Sequence, residues 1–337
     1  MHTTRHPIRL AALLIAGAGA AAAVPASPGR AADKQVTIAY IQKQGDQQYF
    51  VDEAEGARAA AKELGGVKVN VVNVAMDANA AISAMNVMVG QKVDGIAIVV
   101  PDQQIGPQVI DMAAQANIPV LASDDPIAGS PGKGGAGAPA AFVGFDGYDM
   151  GSKVGDAAGL LFKKAGWTAG DTRIIAAYEQ QLSVCQDRVR GEEEGFRKAA
   201  GSMPDIIRVG TDNSVVDAQN RTAAVVTANP AVKHWVVVGC NDENETGATS
   251  ALANAGIAPD AVIGVGLGAY LTCKDWQAGA ASGNKAALFI SGHDVGSAAV
   301  KVLVAAIRDH AALPAKTVAT TTIVTPQTWK GVMGSCS

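Results

Sequence analysis

Residues 95–121 read GIAIVVPDQQIGPQVIDMAAQANIPVL, and this stretch decides the fold. It opens on an apolar run that ends at Pro101, which is typical of a strand buried on both faces. Residues 105–116 then space their apolar side chains for a helix, and residues 118–121 begin a second apolar run. A strand, a helix and a strand in this order predict two parallel strands joined by a crossover helix.

The same alternation continues in both directions from this stretch. Further strands are predicted at residues 36–41, 67–73, 140–146, 172–179, 205–212, 234–240, 261–267, 286–291 and 317–325, with helices between them. Residues 128–139 are mostly Gly, Ala and Pro and predict a surface loop. Two runs of βα units of similar length therefore predict the α/β class, with two similar doubly wound parallel-sheet lobes and a ligand cleft between them.

The two lobes are expected to be joined by a multi-strand hinge, because no Pro- or Ser-rich linker separates them. Crossings between the lobes are predicted near residues 143–146, 289–292 and 320–325. They divide the chain into an N-terminal lobe, residues 33–143 plus 292–319, and a C-terminal lobe, residues 144–291 plus 320–337. A chain of this length suits two domains better than one core.

Residues 1–32 have the pattern of a secretory signal peptide. Arg5 and Arg9 precede an apolar run of 15 residues at 10–24, and small residues then lead to Arg30-Ala31-Ala32. The run is shorter than the roughly 20 residues of a membrane span, although an N-terminal anchor helix stays open as the alternative. We therefore expect a periplasmic protein. Loss of this segment moves the net charge from −4 to −7, which argues against nucleic acid as a partner.

The chain contains four cysteines, Cys185, Cys240, Cys273 and Cys336, which allow three disulfide pairings or four buried thiols. No pair has C-x-x-C spacing, so we predict no metal site and no redox site. If Cys185 and Cys240 both reach the cleft, as their strand-end positions indicate, a bond between them would shape the site. Cys273 with Cys336 is then the complementary pair.

Polar side chains follow several of the predicted strands, where ligands bind in open α/β sheets. The strand-end residues are Lys43, Gln44, Gln47 and Tyr49, then Asp124 and Asp125, then Phe145 and Asp146, then Arg188 in the following helix, and finally Asn241 and Asp242. Mixed polar groups of this kind can bracket a sugar hydroxyl, which both donates and accepts hydrogen bonds. An aromatic ring can cover the apolar C–H face of a sugar.

Most of these residues also have a purely structural interpretation. Lys43 could be a solvated loop lysine, the two aspartates could cap turns, Arg188 could belong to an exposed charge cluster, and Asn241 could cap the helix that follows it. Phe145 fits hinge packing as well as ligand contact. Of the adjacent aromatics, Tyr49 is assigned to the site and Phe50 to the core, because only Tyr49 has a polar group.

An enzymatic function has little support in the sequence. Ser291, His293 and Asp294 are near neighbours in sequence, whereas catalytic triads assemble from distant segments. The sequence contains neither the G-x-S-x-G motif nor a phosphate-binding loop. We predict a protein that is not an enzyme and has no cofactor, with a hydrolase as the enzymatic alternative.

The sequence resembles the periplasmic sugar-binding proteins of ABC importers, most closely the L-arabinose-binding type. The resemblance rests on Lys43-Gln44, Tyr49-Phe50, Val100-Pro101-Asp102, Asp124-Asp125, Val232-Lys233-His234-Trp235, Val238-Gly239-Cys240-Asn241-Asp242 and Ile263-Gly264-Val265-Gly266. It implies two lobes that close on the sugar by hinge motion. It also implies sugar contacts at Lys43, Tyr49, Asp125, Arg188 and Asn241, with Asp124, Phe145 and Cys240 lining the same site.

This sequence departs from the arabinose-binding pattern at several site positions. Tyr49 and Gln47 stand where that type has a tryptophan and a carboxylate, and Gly268 and Leu271 stand where it has an asparagine and an aspartate. We therefore expect a pentose or a related sugar or polyol, with a nucleoside or a signalling furanone as alternatives.

The resemblance also implies partners for the protein. These are the membrane permease of an ABC transporter and, as a second candidate, a chemoreceptor, and we expect a monomer. A regulator with the same lobes would need a DNA-binding head where this chain has its signal-like segment.

Overall fold

The computed structural model describes residues 35–129, 139–279 and 281–336, which belong to one compact unit. The predicted signal peptide and most of the predicted loop at 128–139 lie outside the described residues. Within the described ranges, no helix is long and apolar enough to cross a membrane.

Two six-stranded sheets carry the fold, one in each lobe. The first sheet contains β1 (Val36–Gln42), β2 (Val67–Asn73), β3 (Gly95–Ile98), β4 (Val120–Asp124), β5 (Ala141–Gly144) and β11 (Thr317–Val318), in the order β11-β5-β4-β3-β1-β2. The second contains β6 (Thr172–Tyr178), β7 (Asp205–Gly210), β8 (His234–Gly239), β9 (Val262–Gly268), β10 (Asn284–Ile290) and β12 (Thr321–Val324), in the order β12-β10-β9-β8-β6-β7. All neighbouring strands are parallel except β10 and β12, so the predicted fold class is confirmed.

Helices cover both faces of each sheet. They are α1 (Gln48–Leu64), α2 (Ala78–Gly90), α3 (Gly106–Gln115), α4 (Gly147–Ala165), α5 (Ser183–Ala200), α6 (Val215–Ala228), α7 (Asp242–Asn254), α8 (Thr272–Ala278), α9 (Gly292–Arg308) and α10 (Trp329–Met333). The central strands are buried almost throughout, because apolar side chains on both of their faces pack against helices.

Two helix pairs pack closely because glycines remove side chains from their contacts. A Cβ atom at Gly296 of α9 would lie 1.9 Å from the Glu53 carbonyl oxygen of α1. In the other lobe, a Cβ atom at Gly155 of α4 would lie 2.0 Å from the Glu192 carbonyl oxygen of α5. The helix that follows the first strand of each sheet is thus held by a glycine-bearing partner helix.

The chain passes between the two sheets at three places. β5 lies in the first sheet and α4 packs on β9 of the second, while β10 lies in the second sheet and α9 packs on β3 of the first. The third crossing differs from the sequence prediction, which placed one strand at 317–325. That segment forms two short strands, β11 and β12, in different sheets, because one strand cannot pair with both sheets at once.

Candidate functional site

A cavity lies where the carboxyl ends of the two sheets face each other. Its empty volume is about 660 Å³, including space open to solvent. The first lobe contributes Lys43, Gln44, Gln47, Tyr49, Phe50, Met76 and Asp124, and the second contributes Leu182, Val184, Cys185, Arg188, Asn213, Cys240, Asn241, Asp242, Glu243, Leu267, Gly268 and Tyr270, with Ile290 at a crossing. The position matches the strand-end rule that selected the candidate residues.

Asp125 joins two cations from different lobes behind this cavity. Its carboxylate accepts hydrogen bonds from Lys43 Nζ at 2.6 Å and from Arg188 Nη2 at 3.1 Å. Lys43 follows β1 of the first sheet, whereas Arg188 lies in the second turn of α5. Burial alone would raise the pKa of Asp125, but the two cations outweigh it and lower that pKa. Asp125 therefore remains ionised and ties the lobes together.

Asp124 has a different electrostatic environment from its neighbour. Burial and the adjacent Asp125 charge raise the pKa of Asp124, and Lys43 and Arg188 offset that increase only in part. Its backbone lies in the left-handed region at φ 63°, which a non-glycine residue adopts rarely. A Cβ atom at Gly144 would lie 2.3 Å from the Asp124 carbonyl oxygen, so the neighbouring strand leaves room for this conformation.

Tyr49 stands at the centre of an aromatic group in the cavity wall. Its ring centroid lies 5.0 Å from that of Phe50, 6.3 Å from that of Phe145 and 6.2 Å from that of Tyr270. The Tyr49 hydroxyl lies beside the Asp124 carboxylate and interacts with it, but the two groups do not reach good hydrogen-bond geometry. The two groups therefore form one polar spot in the cavity wall. Phe50 is buried as expected but also reaches the cavity, whereas Phe145 packs behind Tyr49.

The predicted residues of the second lobe line the cavity in different ways. Asn241 caps α7, accepting a hydrogen bond from the Asn244 backbone N–H at 3.0 Å, and donates from Nδ2 to the Asn213 carbonyl oxygen at 3.1 Å. The capping interpretation of Asn241 thus describes its side chain in this structure. Gly268 adopts φ 140°, where a side chain would be strained, so the end of β9 presents bare backbone to the cavity.

The four cysteines form two disulfides, Cys185–Cys240 and Cys273–Cys336. The first lies in the cavity wall, which is the arrangement expected from the strand-end positions of its cysteines. The second attaches the C-terminal segment after α10 to α8. In the described part of the chain, no group of three or more His, Cys, Asp or Glu side chains could hold a metal ion.

Several lining residues were missed in the sequence, and two of them, Tyr270 and Asn213, hold the site together. The Tyr270 hydroxyl donates to the Ile290 carbonyl oxygen at 3.0 Å and accepts from the Gly292 N–H at 3.2 Å, so it holds a crossing between the lobes. Asn213 follows β7, and its side chain contacts the Glu179 N–H after β6, Cys185 Sγ of α5 and Asn244 Nδ2 of α7. The strand-end rule could have identified both residues, since Asn213 lies three residues after β7 and Tyr270 lies two residues after β9.

Comparisons with known proteins agree with this two-lobe geometry. The family model for the periplasmic binding protein domain matches residues 38–311. The chain belongs to this family. A curated relative, the ABC transporter L-arabinose-binding periplasmic protein of Azospirillum brasilense, is 28% identical over 337 residues and covers 97% of this chain and 96% of its own.

Solved structures share the same fold. The solute-binding protein of Actinobacillus succinogenes with bound D-allose has a TM-score of 0.72, with 22% identity, and the match covers 88% of this chain and 99% of that chain. The Caulobacter myo-inositol-binding protein has a TM-score of 0.75, with 19% identity, and the match covers 89% and 96% of the two chains. At these identities the likeness establishes the architecture of two parallel-sheet lobes.

Proposed function

We propose that the protein is a periplasmic solute-binding protein that captures a monosaccharide, a pentose or a related sugar or polyol, and delivers it to the permease of an ABC transporter. The observation that carries the proposal is Asp125, held by Lys43 of one lobe and Arg188 of the other beside a polar cavity. A ligand bound there would contact both lobes and favour their closure.

The polar groups of the cavity support a hydroxyl-rich ligand. Tyr49 offers a buried hydroxyl beside the Asp124 carboxylate, and Gln47 adds an amide group from the same lobe. In the second lobe, by contrast, the side chain of Asn241 bonds to protein atoms. We propose that the first lobe selects the hydroxyl pattern, whereas the second contributes Arg188, Cys240 and the open space at Gly268.

The remaining parts of the proposal concern the lobes and the location. The lobe boundaries at 33–143 plus 292–319 and 144–291 plus 320–337 are supported by the sheet in which each strand lies. The signal-peptide pattern of residues 1–32 and the periplasmic relatives support export to the periplasm. A binding role without catalysis is supported by the family match and by the curated relative, which is a binding protein.

Titration of the exported protein with L-arabinose, D-allose, myo-inositol and adenosine tests this function. A ligand at 100 times its Kd stabilises the folded state by about 2.7 kcal/mol. At roughly 2–4 °C per kcal/mol, the melting temperature should rise by several degrees with one of the sugars or polyols. A response to adenosine alone would favour the nucleoside alternative, and no response to any of the four would contradict the proposal.

Two matched aspartates test the position of the site. Asp124 is the last residue of β4 and Asp102 lies four residues after β3, both in the first lobe, but of the two only Asp124 lines the cavity. We expect Asp124→Asn to raise the Kd of the sugar at least tenfold, because the ligand loses a charged acceptor. Asp102→Asn should stay within twofold of the wild type. Equal Kd values for the two variants, measured by calorimetry, would place the ligand elsewhere.

A further inference from the structure

The Cys185–Cys240 disulfide forms part of the cavity wall. Cys185 is the third residue of α5, Cys240 directly follows β8, and their Cα atoms lie 5.0 Å apart. Both residues are buried and both line the cavity. The other disulfide, Cys273–Cys336, contributes no lining residue. The two bonds therefore differ in their relation to the ligand site.

Cys240 is attached to α5 at two points. Its Sγ atom is bonded to Cys185, and its carbonyl oxygen accepts a hydrogen bond from Arg188 Nη1 at 3.0 Å, one helical turn further along. The same guanidinium donates from Nη2 to Asp125 of the other lobe at 3.1 Å. The disulfide thus fixes the carbonyl group that orients a buried arginine between the lobes.

The polar residues around the disulfide are fixed in the same way. Asn213 Nδ2 lies 3.6 Å from Cys185 Sγ, and Asn213 Oδ1 accepts from Asn244 Nδ2 at 2.8 Å. The Asn213 carbonyl oxygen accepts from Asn241, the residue after Cys240. The Cys185–Cys240 disulfide is therefore surrounded by the hydrogen bonds that place the first turns of α5 and α7 at the cavity.

We propose that the Cys185–Cys240 disulfide is a positioning element of the ligand site, which holds Arg188 and the first turns of α5 and α7 in the arrangement that binds the ligand. The proposal rests on the proposed sugar-binding function. A long side chain loses rotamer freedom when a ligand orders it, so an arginine that is already fixed binds more tightly and more selectively. This role is separate from any contribution of the bond to the stability of the fold.

The chain provides a matched control for this proposal. The sequence separations closed by the two disulfides are 55 and 63 residues. The entropy of loop closure depends weakly on loop length, so loss of either bond should destabilise the fold to a similar degree. A difference in ligand affinity between the two double variants therefore isolates the positioning role.

The experiment compares Cys185→Ser/Cys240→Ser with Cys273→Ser/Cys336→Ser, both exported to a bacterial periplasm and titrated calorimetrically with L-arabinose, D-allose and myo-inositol. We expect the first variant to raise the Kd at least tenfold and to reduce the preference among the three ligands. The second variant should keep its Kd within twofold of the wild type. Equal Kd changes in both variants would overturn the proposal. A wild type that binds none of the three would instead count against the proposed function.

Reduction provides a second test if the first variant does not fold. In Cys273→Ser/Cys336→Ser the cleft bond is the remaining disulfide, and dithiothreitol converts it to two thiols while forming its own cyclic disulfide. We expect a protein that stays folded by circular dichroism, binds more weakly when reduced and recovers on reoxidation. Unchanged affinity, or unfolding on reduction, would overturn the positioning role.

A double-mutant cycle tests whether the bond acts through Arg188. The effect of Arg188→Lys on affinity should be smaller without the Cys185–Cys240 bond than with it, because loss of the bond frees the Arg188 guanidinium from its fixed position and the substitution removes that group. Additive effects would contradict the proposed route through Arg188.

Discussion

The surroundings of a buried carboxyl group decide whether its pKa rises or falls. The protein shows both directions at Asp125, Glu53 and Glu192. Asp125 is buried but meets two cations, which lower its pKa. Glu53 is buried and accepts hydrogen bonds from Tyr40 at 2.7 Å and Ser123 at 2.6 Å, yet burial dominates and raises its pKa. Glu192, one turn beyond Arg188, has no hydrogen-bond partner among the described residues. Contact with two cations thus keeps Asp125 ionised, whereas burial raises the pKa of Glu53 and Glu192, which form no ion pair within the described residues.

Glu192 is one of several buried carboxyl groups with a raised pKa, so it contributes to the pH dependence of stability. Burial raises its pKa to about 8, from 4.5. The folded state therefore retains a proton that the unfolded state has lost, and its stabilising effect is complete below pH 4.5 and lost as the pH rises to about 8. Glu192→Gln should reduce the fall in unfolding free energy between pH 5 and pH 8, by roughly 2–4 kcal/mol. Chemical denaturation of the wild type and the variant at several pH values measures this change in unfolding free energy.

Glu55→Gln is the control for that measurement, because Glu55 lies on an exposed position of α1. It should leave the pH profile as in the wild type. A Glu192→Gln variant with an unchanged profile would mean that Glu192 is ionised in the folded state.

The helices and strands were the most predictable part of the molecule. Strands buried on both faces require continuous apolar runs, such as the run before Pro101, and these stand out in the sequence. Lys43, Asp125 and Arg188 could be selected because strand ends meet at one edge of a sheet. The ion pairs of Asp125 with Lys43 and Arg188 could not be predicted, because the pair with Arg188 depends on how the two lobes pack. The strand predicted at 317–325 divides between the sheets for the same reason.

Close packing of the helix pairs leads to a prediction at the scale of elements. A Cβ atom at Gly155 would overlap the backbone of α5, which carries Arg188. Gly155→Ala should therefore separate α4 from α5 and lower the unfolding free energy by roughly 1–3 kcal/mol. Gly90→Ala in α2 is the control, because a Cβ atom there meets no atom within 4 Å. It should be neutral or stabilising by up to about 1 kcal/mol, from helix propensity.

Urea denaturation distinguishes the two glycine variants. Equal midpoints for Gly155→Ala and Gly90→Ala would show that α4 and α5 can move apart without loss of unfolding free energy. That result would contradict the importance of their close backbone packing.

Tyr270 holds the segment from Ile290 to Gly292, where the chain crosses between the lobes. Its hydroxyl contacts both Ile290 and Gly292, and its ring packs against Tyr49 of the first lobe. Tyr270→Phe should free the Gly292 amide, which should then exchange with solvent at least tenfold faster, equivalent to about 1.4 kcal/mol of lost protection. Hydrogen exchange read by mass spectrometry or NMR measures this rate.

Tyr148→Phe serves as the control, because Tyr148 is partly exposed and bonds Glu194 at the surface. Exchange at Gly292 should be unchanged in that variant. Full protection of Gly292 in Tyr270→Phe would mean that the hydroxyl does not hold the crossing.

The third crossing limits how far the edge strands of the two sheets can separate. β11 of the first sheet ends at Val318 and β12 of the second begins at Thr321, so Ala319 and Thr320 alone join them. Each of these strands lies at an edge of its sheet. A fully extended chain spans about 3.5 Å per residue, so the Cα atoms of Val318 and Thr321 can lie at most roughly 11 Å apart. Any opening of the cleft must therefore leave these two strand ends side by side, so that this short link acts as a tether.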